Sequence, residues 1–165
     1  MSIEPPGLTI RRATVADAGQ LARLRYQFRR ELAVAVEDEQ AFVARLTAWL
    51  NARIEQPQWR AWVVSDAANQ IYGHIFAQFV EKIPNPVVEA ETIVYLTNVY
   101  IVPPLRNRGL GTRLLAAALA DCDRADIDTI ILWPSTQSES LYKRHGFRQP
   151  SSLLERPRLP TTEPG

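Results

Sequence analysis

Cysteine and histidine are scarce in this chain, and their scarcity argues against several kinds of site. One cysteine, Cys122, and two histidines occur among its 165 residues. A single cysteine cannot form an internal disulfide, and so few sulfur and imidazole ligands argue against a structural zinc site. An unpaired cysteine fits a reducing compartment. We therefore expect a cytoplasmic protein that binds no metal.

Long apolar runs and a strong net charge are also missing. No apolar stretch approaches the length of a membrane span. The opening MSIEPPG has neither the basic start nor the apolar core of a signal peptide. Lys plus Arg number 19 and Asp plus Glu number 18, a net charge of +1, which argues against broad electrostatic binding. We therefore expect neither nucleic acid nor a membrane among the partners.

The apolar pattern alternates between strand-like and helix-like segments. Strands are predicted at 8–12, 59–66, 71–83, 92–102 and 129–133, and helices at 15–32, 38–56, 109–124 and 137–145. The strand–helix–strand order within 92–133 predicts two parallel strands joined by a right-handed crossover. The Pro-rich end predicts disorder over 156–165. One domain, 1–165, with a core over about 8–155 accounts for the length.

Two glycines, Gly109 and Gly111, open one predicted helix and are flanked by arginines. The first N–H groups of a helix lack intrahelical partners, and the helix dipole places partial positive charge there. Glycine lets a bulky anion approach those N–H groups, and Arg106, Arg108 and Arg113 add full charges. The pattern predicts a phosphate site, with pyrophosphate as the expected ligand. The alternative is a plain strand-to-helix turn with solvated arginines. The spacing matches neither GxGxxG nor a P-loop.

The stretch NVYIVPPLRNRGLGTRLL resembles the signature of the GNAT superfamily, the acetyl-coenzyme A dependent N-acetyltransferases. That signature is Arg or Gln, two residues, Gly, one residue, and Gly or Ala; Arg106, Gly109 and Gly111 stand at its key positions. A second family signature, Leu-Tyr, three residues, Gly-Phe, is matched by LYKRHGF at 141–147. The two occur in the expected order, and the resemblance covers about 8–147 as a single acetyltransferase domain.

The resemblance implies an α/β fold of the mixed α+β kind. Its sheet would be mostly antiparallel, with six to seven strands flanked by helices, and two central parallel strands would splay apart. Acetyl-coenzyme A, the co-substrate, would lie in that splay, with its pantetheine arm along a strand and its pyrophosphate over the glycine loop. The implied coenzyme A contacts are Val99, Tyr100, Ile101, Arg106, Asn107, Arg108, Gly109, Leu110, Gly111, Thr112, Ser135 and Ser138.

The same resemblance implies the chemistry of an acyltransferase. An acetyl group would pass from acetyl-coenzyme A to a primary amine by direct attack in a ternary complex. Tyr142 matches the tyrosine that protonates the leaving thiolate in many such enzymes. A tyrosine of pKa about 10 is suited to protonate a thiolate of pKa about 8.5. A backbone N–H near Val99 would stabilise the oxyanion.

The catalytic base is where this sequence departs from the family pattern. Many relatives carry a glutamate where Thr97 and Asn98 stand here, and neither residue can take a proton directly from the amine. Glu31, Glu89 and Glu91 are candidates that would act through water, with a plain surface charge as the alternative role of each. The missing glutamate keeps open a second function, that of a non-catalytic acyl-coenzyme A binding module or sensor.

The acceptor and the assembly stay open from the sequence. The resemblance implies a small-molecule or peptide amine as partner, which could be a simple amine, an amino acid, an antibiotic, a protein N-terminus or a lysine. It also allows a homodimer. His74 and His145 are expected to be structural and Cys122 to be a core residue. Gly73 is expected to mark a β-bulge or a close approach of two backbones.

Overall fold

The structure, a computed structural model, describes residues 7–33, 37–150 and 152–156. Of the end expected to be disordered, Arg156 has no regular secondary structure and 157–165 lie outside the described residues. The chain forms two compact units, Met1–Trp133 and Pro134–Gly165. Among the described residues, the first carries a sheet and three α-helices, and the second carries one short helix. None of the helices in the described ranges has the length and apolar character that a bilayer span requires.

Three helices of the first unit confirm the predicted ones. They are α1 at Ala18–Leu32, α2 at Glu39–Asn51 and α3 at Leu110–Asp123. Before α1, the backbone N–H of Thr14 donates to the Asp17 carboxylate at 2.8 Å, and Asp38 caps α2. The α2 helix is shorter than the predicted 38–56. After its last residue, the N–H of Arg53 bonds to the carbonyl of Leu50, three residues back, and this tighter turn begins the exit from the helix.

The sheet is mixed and mostly antiparallel, as predicted. Its strands are β1 at Thr9–Arg12, β2 at Trp59–Ser65, β3 at Ile71–Glu81, β4 at Thr92–Ile101 and β5 at Thr129–Ile131. They lie in the order β1-β2-β3-β4-β5. The first three pairings are antiparallel, and β4 with β5 is parallel. The predicted crossover pair, joined through α3, is therefore confirmed.

The sheet has five strands in the described part of the chain, which corrects the expected six to seven. After Phe147, residues 148–150 and 152–156 form no strand. Pro150 lies in that segment and has no N–H to offer a ladder. The strand β5 is also shorter than the predicted 129–133, because it lies at the sheet edge and only β4 holds it.

Helices cover both faces of the sheet. On one, here called the α1 face, α1 and α2 pack over a core cluster that includes Leu21, Leu24, Leu50, Ala61, Val63, Phe76 and Tyr100. Side chains alternate between faces along a strand, so Arg60 lies on the opposite face from Ala61. Arg60 is bonded to Asp121 of α3 at 3.0 Å. The α3 helix therefore covers that second face.

Strand β4 bulges at its middle. Its pairing with β3 shifts register between His74 and Phe76, so that Asn98 and Val99 together oppose one residue of β3. Asn98 has a φ of 56°, a left-handed conformation that Asn adopts more readily than most residues. Pairing with β5 has already ended at Tyr95. A bulge bends and twists its strand, and β4 accordingly parts from the edge strand β5, as the resemblance implied for its two parallel strands.

Gly73 of β3 lets β4 approach closely. A Cβ atom at Gly73 would lie 2.7 Å from the carbonyl oxygen of Tyr100 and would also overlap the Ile101 side chain. Real Cβ atoms do not come that near a backbone atom. The expected close approach is therefore confirmed, and a larger residue would have to displace β4.

The second unit contains helix α4 at Glu139–Arg144. Gly146 has a φ of +83°, and its N–H bonds to the carbonyl of Lys143 at 3.1 Å. Glycine adopts this left-handed conformation readily and so ends the helix. The rings of Tyr142 and Phe147 meet edge to face at 5.7 Å between centroids. This confirms the predicted short helix with its glycine cap.

Candidate active site

The open edge of β4 is the first part of the site. Parallel pairing with β5 covers only Ile93, Val94 and Tyr95. Beyond that point, residues 96–101 have no strand neighbour on the β5 side within the described chain. Val99 and Ile101 are both half-buried, while Tyr100 is buried. The backbone groups that Val99 directs to that side are therefore open to an extended ligand, while the carbonyl of Ile101 accepts a hydrogen bond from the Arg106 side chain.

The loop from β4 to α3 is the second part. A short 3-10 turn, Pro103–Leu105, ends the strand. Asn107 has a φ of 61° and Gly109 one of 76°, both left-handed. The first bond of α3 runs from the N–H of Arg113 to the carbonyl of Gly109 at 3.0 Å. By helix geometry, the N–H groups of Leu110, Gly111 and Thr112 have no intrahelical partner. Arg108 lies in the same loop.

Arg106, which precedes that helix end, bonds to Glu31 of α1. Its Nη2 lies 2.6 Å from Glu31 Oε2, and its Nε donates to the carbonyl of Ile101 at 2.9 Å. The Tyr100 hydroxyl donates to Glu31 Oε1 at 2.8 Å. Burial, followed by the bond to Glu31, raises the pKa of Tyr100 to about 12. Glu31 thus links the end of α1 to β4 and to the glycine loop.

His74 supports the bulge from the neighbouring strand. It is fully buried, and its Nδ1 lies 2.8 Å from the Asn98 carbonyl oxygen. Burial lowers the pKa of His74 to about 4, so the ring is neutral at pH 7 and its Nδ1–H donates. Its Nε2 is buried without a hydrogen-bond partner among the described residues. The expectation that His74 is structural holds, and the backbone it holds borders the open edge of β4.

The remaining predicted residues lie in the second unit. Ser138 occupies the N-cap position of α4, and its hydroxyl lies 2.9 Å from the Ser135 hydroxyl. Burial raises the pKa of Tyr142, and the Ser138 hydroxyl opposes that change. His145 lies 2.9 Å, through Nδ1, from the Leu141 carbonyl within the same helix, in keeping with a structural role. Tyr142 therefore holds its proton at neutral pH.

Two other residues named from the sequence have defined local surroundings. Glu89 accepts a hydrogen bond from Asn85 at 2.5 Å and pairs with Lys82 at 3.4 Å. Cys122 is fully buried on α3, and burial raises the pKa of its thiol to about 11. It is a core residue, as expected, rather than a nucleophile.

The sequence analysis missed the bulge and the histidine that supports it. The one local signal was an asparagine inside a run of β-branched and aromatic residues, where asparagine is disfavoured. The bond between Arg106 and Glu31 had no local signal at all, since the two residues are 75 positions apart.

Comparison with protein families identifies the group to which this chain belongs. A family model described as the acetyltransferase (GNAT) domain matches residues 29–162. The chain belongs to this family of GNAT acetyltransferases, whose general reaction is acetyl transfer dependent on acetyl-coenzyme A. The resemblance identified from the two signatures is thus confirmed.

Solved structures share the fold across almost the whole chain. A predicted acetyltransferase from Clostridium acetobutylicum, whose crystal structure was determined with acetyl-CoA, is 23% identical with a TM-score of 0.75, covering 91% of this chain and 96% of its own. A GCN5-related N-acetyltransferase from Ralstonia eutropha JMP134 is 24% identical with a TM-score of 0.70, covering 92% and 99%. Glucosamine-6-phosphate N-acetyltransferase from Arabidopsis thaliana is 16% identical with a TM-score of 0.64, covering 90% and 97%. Comparison with curated proteins gives no match.

Proposed function

We propose that this protein transfers the acetyl group of acetyl-coenzyme A to a primary amine by direct attack in a ternary complex. One observation carries the proposal: β4 loses its β5 partner after Tyr95 and then leads, through a loop with two left-handed residues, into the open N-terminus of α3. Family membership supports it, and so does the relative solved with acetyl-CoA.

The residues present fit coenzyme A. Pantetheine carries amides, which can pair with an open strand edge as an added strand does. A pyrophosphate suits the first N–H groups of a helix, and a Cβ built on Gly109 would meet nothing within 4 Å, so that approach is open. We assign the pantetheine to Val99, Tyr100 and Ile101, the pyrophosphate to Arg106, Asn107, Arg108, Gly109, Leu110, Gly111 and Thr112, and further contacts to Ser135 and Ser138.

The proposed reaction forms a C–N bond and breaks the thioester C–S bond. A backbone N–H beside the bulge, at Val99, binds the thioester oxygen and stabilises the oxyanion. On the family resemblance, Tyr142 gives its proton to the leaving thiolate and regains one from solvent. The amine loses its proton to water, because Thr97 stands where many relatives carry a glutamate and Glu31 is already bonded to Arg106 and Tyr100.

The same feature favours the alternative of an acyl-coenzyme A sensor. A protein without a carboxylate in the middle of β4 could keep the binding loop and lose turnover. Binding and turnover therefore have to be measured separately.

A matched pair of glycine variants tests the proposal. Gly109 and Gly7 have φ values of +76° and +77°, and a Cβ on either would meet nothing within 4 Å. Alanine at each site therefore carries a similar backbone strain, of about 1 kcal/mol. We expect Gly109→Ala to weaken coenzyme A binding in a calorimetric titration by about tenfold or more, and Gly7→Ala to leave it unchanged.

Turnover separates the enzyme from the sensor. Thiol release from acetyl-coenzyme A is followed with a panel of amines. Binding with release on at least one amine supports the enzyme, and binding with no release on any amine supports the sensor. Wild-type protein that does not bind coenzyme A would overturn both.

A further inference from the structure

Arg25 of α1 is a cation without a counterion in the described part of the chain. Its Nη1 is buried and has no hydrogen-bond partner. Its Cζ lies 5.6 Å from the centroid of the Phe28 ring. Burial, and then the like charge of Arg29, lower the pKa of Arg25 to about 10. Arg25 as a whole is half-buried, but leaving the buried Nη1 without a partner costs free energy, so a bound acceptor group on that atom would be favourable.

Arg25 is close to the part of the α1 face that borders the bulge. Phe28, whose ring the guanidinium faces, meets the ring of Tyr100 of β4 with centroids 5.2 Å apart, and Tyr95 of the same strand affects the pKa of Arg25. Along β4, Tyr95 and Thr97 lie on the same face, because side chains alternate, and both are only half-buried. An acceptor bound at the bulge from this face would lie on the side of the sheet that carries Arg25.

An aromatic pair borders the same opening. The rings of Tyr95 and Trp133 meet edge to face, with centroids 5.0 Å apart. Trp133 follows β5, at the point where β5 parts from β4, and is 59% exposed. A large exposed indole on a half-buried tyrosine provides apolar surface at the same opening.

A guanidinium group presents its donors in a planar fork that matches two oxygens of a carboxylate or a phosphate. Such a group would give Nη1 the missing partner and Arg25 the missing countercharge. We propose that Arg25 binds an anionic oxygen group, a carboxylate or a phosphate, on the acceptor amine, while Tyr95 and Trp133 contact the acceptor's apolar part. The proposal rests on the acetyltransferase function and adds its acceptor class, amines that carry an acidic group.

Paired acceptors test the class and separate the two anions. Phenylalanine is compared with phenethylamine, which lacks the carboxylate, and glucosamine 6-phosphate with glucosamine, which lacks the phosphate. We expect at least one acidic member to exceed its neutral partner in kcat/KM by about tenfold or more, the effect of one charged hydrogen bond. The pair that shows the preference identifies the anion.

Two arginine variants of α1 then assign the effect to one side chain. Arg25→Met keeps an apolar chain beside Phe28 and removes the charge, and Arg29→Met removes a neighbouring, exposed charge of the same helix. We expect Arg25→Met to raise KM for the preferred acidic acceptor by about tenfold to a hundredfold, with little change for its neutral partner or in coenzyme A affinity. Arg29→Met should change neither.

Several outcomes would overturn the proposal while leaving the acetyltransferase function intact. These are equal kcat/KM for both members of each pair, equal losses for both in Arg25→Met, or the same selective loss in Arg29→Met.

Thermal unfolding gives a reading that needs no turnover: an unpaired cation should make Arg25→Met at least as stable as wild type. A clear fall in its melting temperature would show that Arg25 only supports the fold. Failure of the wild type to bind coenzyme A would instead refute the proposed function.

Discussion

The Nδ1 atom of His74 lies 2.8 Å from the carbonyl oxygen of Asn98, across two strands and at the bulge of β4. The contact joins a fully buried ring to a residue with a φ of 56°. A neutral imidazole that donates here holds a backbone conformation that would otherwise be costly. The stability of the bulge is therefore linked to the protonation of one side chain.

We predict that protonation of His74 lowers the free energy of unfolding in acid. Its pKa is about 4 in the fold, below the ordinary 6.5, so between these values the unfolded chain binds the proton more readily. The stability that neutral His74 contributes is fully present above pH 6.5. It is lost as the pH falls through 4, and the total loss is about 3 kcal/mol. Urea unfolding at pH 7, 5.5 and 4 measures it.

His74→Asn is the matched control for that prediction. Its amide can still donate near the Nδ1 position but does not titrate. In the variant, the free energy of unfolding should no longer fall because of this residue between pH 6.5 and 4. The pKa of Asp17 is lowered first by its hydrogen bond to Arg11. The stability that its carboxylate contributes is therefore lost as the pH falls below 3.8, in both proteins. An identical pH dependence in wild type and variant would contradict the role given to His74.

Tyr142→Phe is predicted to slow turnover without weakening coenzyme A binding. The change keeps the ring that meets Phe147 and removes one proton donor. Loss of general acid catalysis lowers kcat by about 10²–10⁴-fold. The affinity for coenzyme A, measured by titration, should barely change, since only an interaction made during reaction is removed.

A second tyrosine provides the comparison. The Tyr26 hydroxyl donates to the Glu37 carbonyl at 3.1 Å, so Tyr26→Phe also removes one hydroxyl but none assigned to catalysis. It should retain wild-type turnover. If the turnover of Tyr142→Phe is within about twofold of wild type, a group other than Tyr142 donates the proton.

Glu31→Gln is predicted to weaken the fold slightly and to preserve catalysis. The carboxylate accepts bonds from Tyr100 and Arg106, and the ion pair is partly exposed, so its loss should cost about 1 kcal/mol or less. Denaturant unfolding measures that change. If Glu31 were instead the base that activates the amine, kcat would fall by about a hundredfold and the acid limb of the pH–rate profile would disappear.

The glycine loop was predictable because its signals are local. Pro103 and Pro104 cannot continue a β-ladder, and Gly109 is free to adopt a left-handed turn. Both effects act within a few residues of the sequence, and the structure ends β4 and begins α3 accordingly. The same holds for Gly146 after α4.

The rest of the site depends on contacts between distant segments. The end of β5 is set by where β4 turns away, and the bulge is set by a histidine on β3. The signature gives Arg106 its place beside the glycines, but it carries no sign that the guanidinium also bonds to a carboxylate of α1. Periodicity and spacing carry no information on such pairs, because only the packed fold brings them together.

The open edge of β4 has a consequence for self-association. An exposed strand edge can pair with the same edge of another copy and so build extended aggregates. Here the edge covers only residues 96–101, is twisted by the bulge, and runs directly into Pro103 and Pro104, which lack backbone donors. A second chain could therefore add few regular bonds, so the irregularities of β4 also protect the protein against stacking edge to edge.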